Sequence, residues 1–407
     1  MGGIGRPALF FALAAIGFYW LLNIRFVSDP STLPGTEDVI FGKSDVSDEK
    51  IRTFSVQFPE SQLEDLRTRL EMWKKPAPTL QNVKDNSYGI NLSVLEKIVD
   101  YWKNSYDWKY ELARINKMPH HKTIIQGLDI HFIHTVGDRN ARFKVPLLLL
   151  HGWPGSVLEF YKVIPKLVEA RDGLAFDIVC PSIPGYGFSE IPVKPGFSVV
   201  SVADIFHKLM MRLGYDKYVV QGGDWGSIIG GVIAHKYHDH IIGYHTNFHV
   251  PSVATGMDLL HVAGVLIAPS LVVDKEDVGK LTFNTFKWWM EETGYMHEQM
   301  TKPDTVGIAL SDSPVGLAGY VIEKFIGWSD GFPFSNDELI TNVMLYWLTN
   351  TSTSSLRLYK YVYQLSSILI LFYLELVGKA FGLLQHCIQA NHTLLLQQQL
   401  HATLKKC

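Results

Sequence analysis

Between residues 145 and 221 the chain repeats one pattern: a short, uninterrupted apolar run, a turn rich in glycine and proline, then a helical stretch. The runs at 145–150, 176–180 and 218–221 leave no side for solvent, so each fits a strand buried on both faces. Parallel strands joined by crossover helices are the arrangement that buries such runs. Residues 122–134 add a hairpin centred on Gly127, and helices are expected through Leu167 and over 202–213. The expected fold class is therefore α/β with a mostly parallel sheet.

The flanks read differently. Residues 48–117 have apolar positions at helical spacing, broken at Pro76 and Pro78, and residues 251–358 are helical with turns. A helical block that follows a buried strand fits a cap over the sheet's C-terminal edge. At the N-terminus, ALFFALAAIGFYWLLNI lies between Arg6 and Arg25, with Tyr19 and Trp20 where an interfacial belt would sit. It is close to the shortest run able to cross roughly 30 Å of hydrocarbon. We expect a membrane anchor over 1–27, with a cleaved signal peptide as the alternative, then a helical extension over 28–117, a core over 118–250, a cap over 251–360 and a tail over 361–407.

Composition excludes several classes. A net charge of −3 provides no basic field for nucleic acid. Cys180, Cys387 and Cys407 are far apart, and no HExxH, phosphate loop or dinucleotide fingerprint is present, so no metal or organic cofactor is expected.

Chemistry concentrates in Gln221-Gly-Gly-Asp-Trp-Gly-Ser227, which follows a strand and opens a helix. Gly222, Asp224 and Gly226 fit a nucleophile elbow with aspartate in place of serine. Free N–H groups at the helix start would favour an ionised carboxylate there. Such a carboxylate attacks saturated carbon and leaves an alkyl-enzyme ester, which points to epoxide opening or dehalogenation. The alternative is a plain helix cap. A second turn, His151-Gly-Trp-Pro-Gly-Ser156, leaves the strand at 145–150, and the amides of Trp153 and Trp225 could form an anion-stabilising pair. His151 itself reads as structural. A third segment, Pro184-Gly-Tyr-Gly-Phe-Ser189, is a looser loop pattern.

HGWPGS, IPGYGFSE and GGDWGS, in this order and spacing, resemble the epoxide hydrolase branch of the α/β-hydrolases. The anchor, the helical extension and Gly294-Tyr-Met-His-Glu-Gln-Met-Thr-Lys-Pro-Asp-Thr305 resemble its microsomal subgroup, which includes the insect juvenile-hormone epoxide hydrolases. The resemblance implies Asp224 as nucleophile, with Tyr295 and Tyr359 as proton donors to the epoxide oxygen. It also implies an apolar epoxide and water as reactants, and the endoplasmic reticulum (microsomal) membrane as location, with the catalytic part cytosolic. A neutral phenol suits an opening oxirane, whose leaving oxygen becomes an alkoxide. In a blander reading each tyrosine is a half-buried aromatic with its hydroxyl at the surface.

The resemblance stops at the tail. Family members carry an acid after the next strand and a histidine in a Gly-Gly-His-like turn, whereas His386, His392 and His401 follow no strand and no glycine turn, and Glu375 lies in an apolar run. The closing strands are accordingly expected to be absent, and water attack to slow by about 10²–10⁴. A stalled or merely epoxide-binding product, or a haloalkane dehalogenase, are the alternatives.

Overall fold

A computed structural model describes residues 35–83, 85–248 and 283–364. Seven strands, β1 (Arg52–Phe54), β2 (His120–Ile125), β3 (Leu128–Thr135), β4 (Phe143–Leu150), β5 (Leu174–Pro181), β6 (Tyr218–Gly222) and β7 (Ile241–Thr246), form one mixed sheet. Across it the order is β1-β2-β3-β5-β4-β6-β7. From β1 to β5 neighbours run antiparallel, and β5, β4, β6 and β7 run parallel. The strands expected from apolar runs are there, and their side chains form the core: Leu147, Leu148, Leu150, Phe176, Ile178, Val219 and Val220 are all buried.

Around the sheet lie α1 (Glu60–Glu71), α2 (Leu92–Asn104) and α3 (Trp108–Ile115) of the extension, then α4 (Ile164–Val168), α5 (Val199–Arg212) and α6 (Trp225–Lys236) of the core. The cap follows as α7 (Phe283–Glu292), α8 (Gly294–Thr301), α9 (Pro303–Asp312), α10 (Pro314–Gly327), α11 (Asn336–Leu348) and α12 (Ser352–Gln364). Extension and cap are tied by polar contacts. The Tyr101 hydroxyl donates to Asp337 at 2.9 Å, and the hydroxyls of Tyr106 and Thr341 lie 2.9 Å apart.

Three elements differ from expectation. The helix expected through Leu167 is instead a short 3-10 turn, Val157–Phe160, followed by α4. Pro165 has no N–H to continue a preceding helix and begins a new one. β1 lies within the stretch read as helical; three residues are too few to show a strand's alternation, and Phe54 is held by ring contacts with His131 and Phe188. β7 was not foreseen because its sequence, Ile-Ile-Gly-Tyr-His-Thr, lacks a sustained apolar run.

The anchor expected over 1–27 and the tail residues Glu375, His386, Cys387, His392, His401 and Cys407 lie outside the described residues, as does 249–282 of the cap region. Among the described residues no single helix is long and apolar enough to cross a membrane.

The turn after β6 is packed without slack. A Cβ on Gly222 would sit 2.1 Å from the carbonyl oxygen of Gly226, and one on Gly226 would sit 2.2 Å from that of Leu150. Both obstacles are backbone and cannot rotate away. Gly226→Ala is expected to lower unfolding free energy by about 3 kcal/mol or more, whereas Gly294→Ala, with nothing within 4 Å of the new methyl, should stay within about 0.5 kcal/mol of the parent. Urea denaturation of the two variants checks the contrast.

Candidate active site

Parallel pairing sets Leu150 of β4 opposite Gly222 of β6. The two turns that leave these strands therefore emerge side by side. Asp224 occupies the apex of the second, with φ 49 and ψ −125, a conformation that costs a non-glycine residue energy and is kept where the surroundings enforce it. Although Asp224 stands at the N-cap position of α6, its side chain caps nothing. The capping alternative thus fails.

The carboxylate turns instead toward the first turn. The Trp153 amide donates to Asp224 Oδ1 at 2.8 Å, and the Trp225 amide is a second backbone donor to the carboxylate. Gly152 makes the approach possible, since a Cβ there would lie 2.3 Å from that same Oδ1. The amides of Trp153 and Trp225 thus both meet the Asp224 carboxylate. Their effect on acidity is outweighed, however. Crowding by the surrounding protein pushes the Asp224 carboxyl up to about 6, against the two amides that lower it.

The first turn is itself pinned from the cap. Asn342 of α11 donates to the Pro154 carbonyl at 2.7 Å and accepts from the Ser156 hydroxyl at 2.9 Å, while the Tyr346 hydroxyl donates to the Gly155 carbonyl at 2.6 Å. His151 is structural: its Nε2 accepts from the Ile183 amide at 3.1 Å, and its Nδ1 faces the Gly152 carbonyl at 3.1 Å. Burial lowers its pKa to about 4. The loop containing Tyr186 anchors α12. The Tyr186 hydroxyl donates to the Ser355 carbonyl at 2.8 Å, and Ser354 donates to the Gly185 carbonyl at 2.6 Å.

Both tyrosines singled out in the sequence reach this place. Tyr359, on α12, is 2% exposed, with its ring centre 4.6 Å from that of Trp225 and 6.0 Å from that of Trp153. Tyr295, on α8, lies parallel to Trp153 with centroids 5.2 Å apart, and 6.0 Å from the Tyr359 ring. The Tyr359 hydroxyl is buried, and among the described residues the Tyr295 phenol is its hydrogen-bonding neighbour. It is thus not the surface hydroxyl of the blander reading. Burial, reinforced by the Asp224 charge, raises both phenols above their ordinary range, so they are neutral donors. Beyond Tyr295 opens a cavity of about 1250 Å³, walled by Trp73, Ile90, Leu95, Leu310 and Val315 among others. Tyr295 lines it and Asp224 does not. Among the described residues no cluster of His, Cys, Asp or Glu could hold a metal ion.

Asn342 and Tyr346, which fix the Trp153 turn, had no signal in the sequence: each sits at a helical position that reads as ordinary core.

Comparison with known proteins places the chain by family and fold. The family model described as "Epoxide hydrolase N terminus" matches residues 51–160, and that described as "alpha/beta hydrolase fold" matches residues 145–247. Epoxide hydrolase 1 of Sus scrofa is 45% identical over 334 residues, which are 77% of this chain and 73% of that protein. Among solved structures, juvenile hormone epoxide hydrolase from the silkworm Bombyx mori superposes with a TM-score of 0.75 at 40% identity, over 80% of this chain and 81% of that one. The epoxide hydrolase of Aspergillus niger gives a TM-score of 0.66 at 29% identity, over 79% of this chain and 81% of its own.

The weakened acidity of Asp224 alters folding stability with pH. An unfolded aspartate ionises near 3.8, and the folded Asp224 only at about 6. Ionising it therefore costs the folded state stability as pH rises between those values, and the whole cost is present above the folded value. Asp224→Asn should thus leave stability unchanged below pH 3.8 and raise it by about 1 to 3 kcal/mol at neutral pH. Melting curves at both pH values check the sign.

Proposed function

This chain belongs to the epoxide hydrolase family, and on that premise we propose that Asp224 opens the ring of an apolar epoxide under Tyr295 and Tyr359. The observation that carries the reading is the juxtaposition itself. A carboxylate on a strained turn, held at Oδ1 by the Trp153 amide, lies among aromatic rings that include two buried, neutral phenols.

The steps follow from the donors. With Oδ1 held by the Trp153 amide, Oδ2 is the oxygen that forms a bond to an epoxide carbon. As it does, the ring C–O bond breaks and its electron pair stays on oxygen, which takes a proton from the phenols. The product is a hydroxyalkyl ester of Asp224. Water then adds to the ester carbonyl carbon, and the negative charge that develops on Oδ1 meets the amides of Trp153 and Trp225. Of the water's two protons, one passes to the departing alkoxide oxygen and the other returns to the phenolate, so release of the diol restores both the carboxylate and the phenol. The atoms of epoxide and water are all accounted for, and no cofactor is needed.

An aspartate elbow alone would also suit a haloalkane. The phenol pair argues for the epoxide, because a departing halide needs no proton whereas an alkoxide does. The cavity beside Tyr295, walled by Trp73, Leu95 and Leu310 together with charged residues such as Arg69, Glu298 and Glu323, has room for an apolar epoxide. An apolar run at residues 8–24 would hold such an enzyme on the endoplasmic reticulum membrane, its catalytic part cytosolic, where apolar epoxides partition.

Ester hydrolysis requires a base. His151 does not provide one, since Nε2 is occupied by the Ile183 amide and Nδ1 faces a carbonyl. The described residues thus support ring opening more fully than water activation, and the ester is expected to outlive its formation.

Exposure of the protein to styrene oxide, followed by acid quench and mass spectrometry, tests the reading. An adduct on Asp224 is expected, absent in Asp224→Asn and forming about 10²-fold more slowly in Tyr295→Phe or Tyr359→Phe. Adduct formation should rise with pH through about 6 as the carboxyl ionises, then level off. No adduct with the parent protein, under conditions where no diol forms either, would sink the proposal. Diol release without accumulating ester would show that a base acts, either Glu159, which is buried within electrostatic reach of Asp224, or a group outside the described residues.

A further inference from the structure

One cation in the cap has no part in the chemistry described so far. Lys324 of α10 is 9% exposed, and its ammonium lies over three aromatic rings: 5.1 Å from the centre of Tyr295, 5.5 Å from Trp328 and 5.7 Å from Tyr320. Glu323 forms its ion pair. The rings are themselves constrained. The Trp328 indole N–H donates to Glu292 at 3.0 Å, Tyr320 accepts from Gln299 at 3.2 Å, and Tyr295 packs on Trp328 with centroids 5.0 Å apart. Nearly burying a long cationic side chain is costly unless it is paired. A single adjacent carboxylate would have sufficed for pairing in solvent, so the convergence of three π faces on one ammonium calls for a reason beyond charge neutralisation.

We propose that Lys324 is a positioning residue for ring opening, holding Tyr295 against Trp153 and favouring transfer of its proton to the epoxide oxygen. This rests on the reading of Tyr295 as a donor to that oxygen. Two physical effects act together. The cation–π contact fixes the ring from the cap side while Trp153 lies parallel to it, so the hydroxyl has one place to point. As the phenol O–H proton moves to the oxygen released from the ring, negative charge grows on the phenol oxygen, and a fixed positive charge close to that ring offsets it in a site poor in water. Lys324 is neither consumed nor deprotonated in the step. The proton comes from Tyr295, and the electron pair on the departing oxygen comes from the broken ring bond.

Sequence inspection gives no hint of this, because Lys324 follows Glu323 on a helix and such a charged pair reads as solvated surface. The cage exists only once α8 and α10 are packed together.

A double-mutant cycle on the full chain tests the proposal. Single-turnover formation of the Asp224 ester from styrene oxide is followed by quenched mass spectrometry in the parent, Lys324→Met, Lys324→Arg, Tyr295→Phe and the Lys324→Met/Tyr295→Phe pair. Lys324→Met is expected to lower the maximal rate about 10- to 100-fold and to leave the half-saturating epoxide concentration within about twofold. Lys324→Arg, which keeps the charge over the rings, should recover most of the rate. In the Tyr295→Phe background, Lys324→Met should change the rate by less than about threefold, since a residue acting through a phenol has nothing to act on once that phenol is gone. Lys324→Gln substitutes for Lys324→Met if the latter fails to match the parent's near-ultraviolet circular dichroism.

An unchanged maximal rate in the neutral variants, with Tyr295→Phe slow, would overturn the role of Lys324 and leave that of Tyr295 standing. Equal slowing of the parent and of Tyr295→Phe would likewise overturn it, as the mark of a purely structural residue. If Tyr295→Phe itself forms ester at the parental rate, the donor reading fails and this inference goes with it.

Discussion

The register between β4 and β6 governs everything at this site. Setting Leu150 opposite Gly222 brings two tight turns into contact, and only because they touch can the amide that follows one strand hold the carboxylate that follows the other. Shift the pairing by one residue and every side chain on the strand changes face; Asp224 Oδ1 would then lose the Trp153 amide. The glycines are consequences of this register. Gly226 passes under the Leu150 carbonyl and Gly152 passes over the Asp224 carboxylate, each too close for a side chain.

A rigid pair of turns would still be inert without its lid, and the cap contributes in two distinct ways. α11 reaches down with Asn342 and Tyr346 to hold the carbonyls of Pro154 and Gly155. α12 and α8 bring the phenols. α12 is in turn fixed to the core through Tyr186 and Ser354 and to its neighbours through the paired contact of Arg357 with Asp304 at 2.7 and 3.0 Å. The loop that looked least informative in the sequence thus carries the load of orienting Tyr359. Such cross-links matter because misplacing a reacting group by about 1 Å can cost on the order of 10² in rate.

What could be read from the sequence divides by the range of the interaction. Asp224, Gly222 and Gly226 are legible because a strand-turn-helix reversal places its demands on consecutive residues. The Trp153 and Trp225 amides could be named because each follows a buried strand in the same manner. Tyr295 and Tyr359 emerged from a family resemblance alone, since nothing within a few residues of either separates it from the other tyrosines. Lys324, Asn342 and Tyr346 stayed hidden because their partners lie on other helices, and helical periodicity reports burial but not what is met there. The anion-favouring helix start was legible too, yet it misled on acidity: local donors were visible, while the crowding that raises Asp224 to about 6 is a property of the assembled site.

That raised value exposes a balance in the chemistry. In the proposed reaction attack requires the ionised carboxylate, and the two amides favour it, but burial penalises it more strongly than the amides compensate. A more solvated Asp224 would ionise readily and be a weaker nucleophile, its lone pairs tied up by water; a drier one would stay protonated at neutral pH. A value near 6 keeps the carboxylate largely ionised at neutral pH and little hydrated. The same dryness keeps Tyr295 and Tyr359 as phenols rather than phenolates, so the proposed nucleophile and acids coexist in opposite protonation states at one site. Any substitution that admits water would act on both at once, easing ionisation of Asp224 and of the phenols together. Aromatic walls built from Trp153 and Trp225 are therefore part of the acid-base design as much as of the packing.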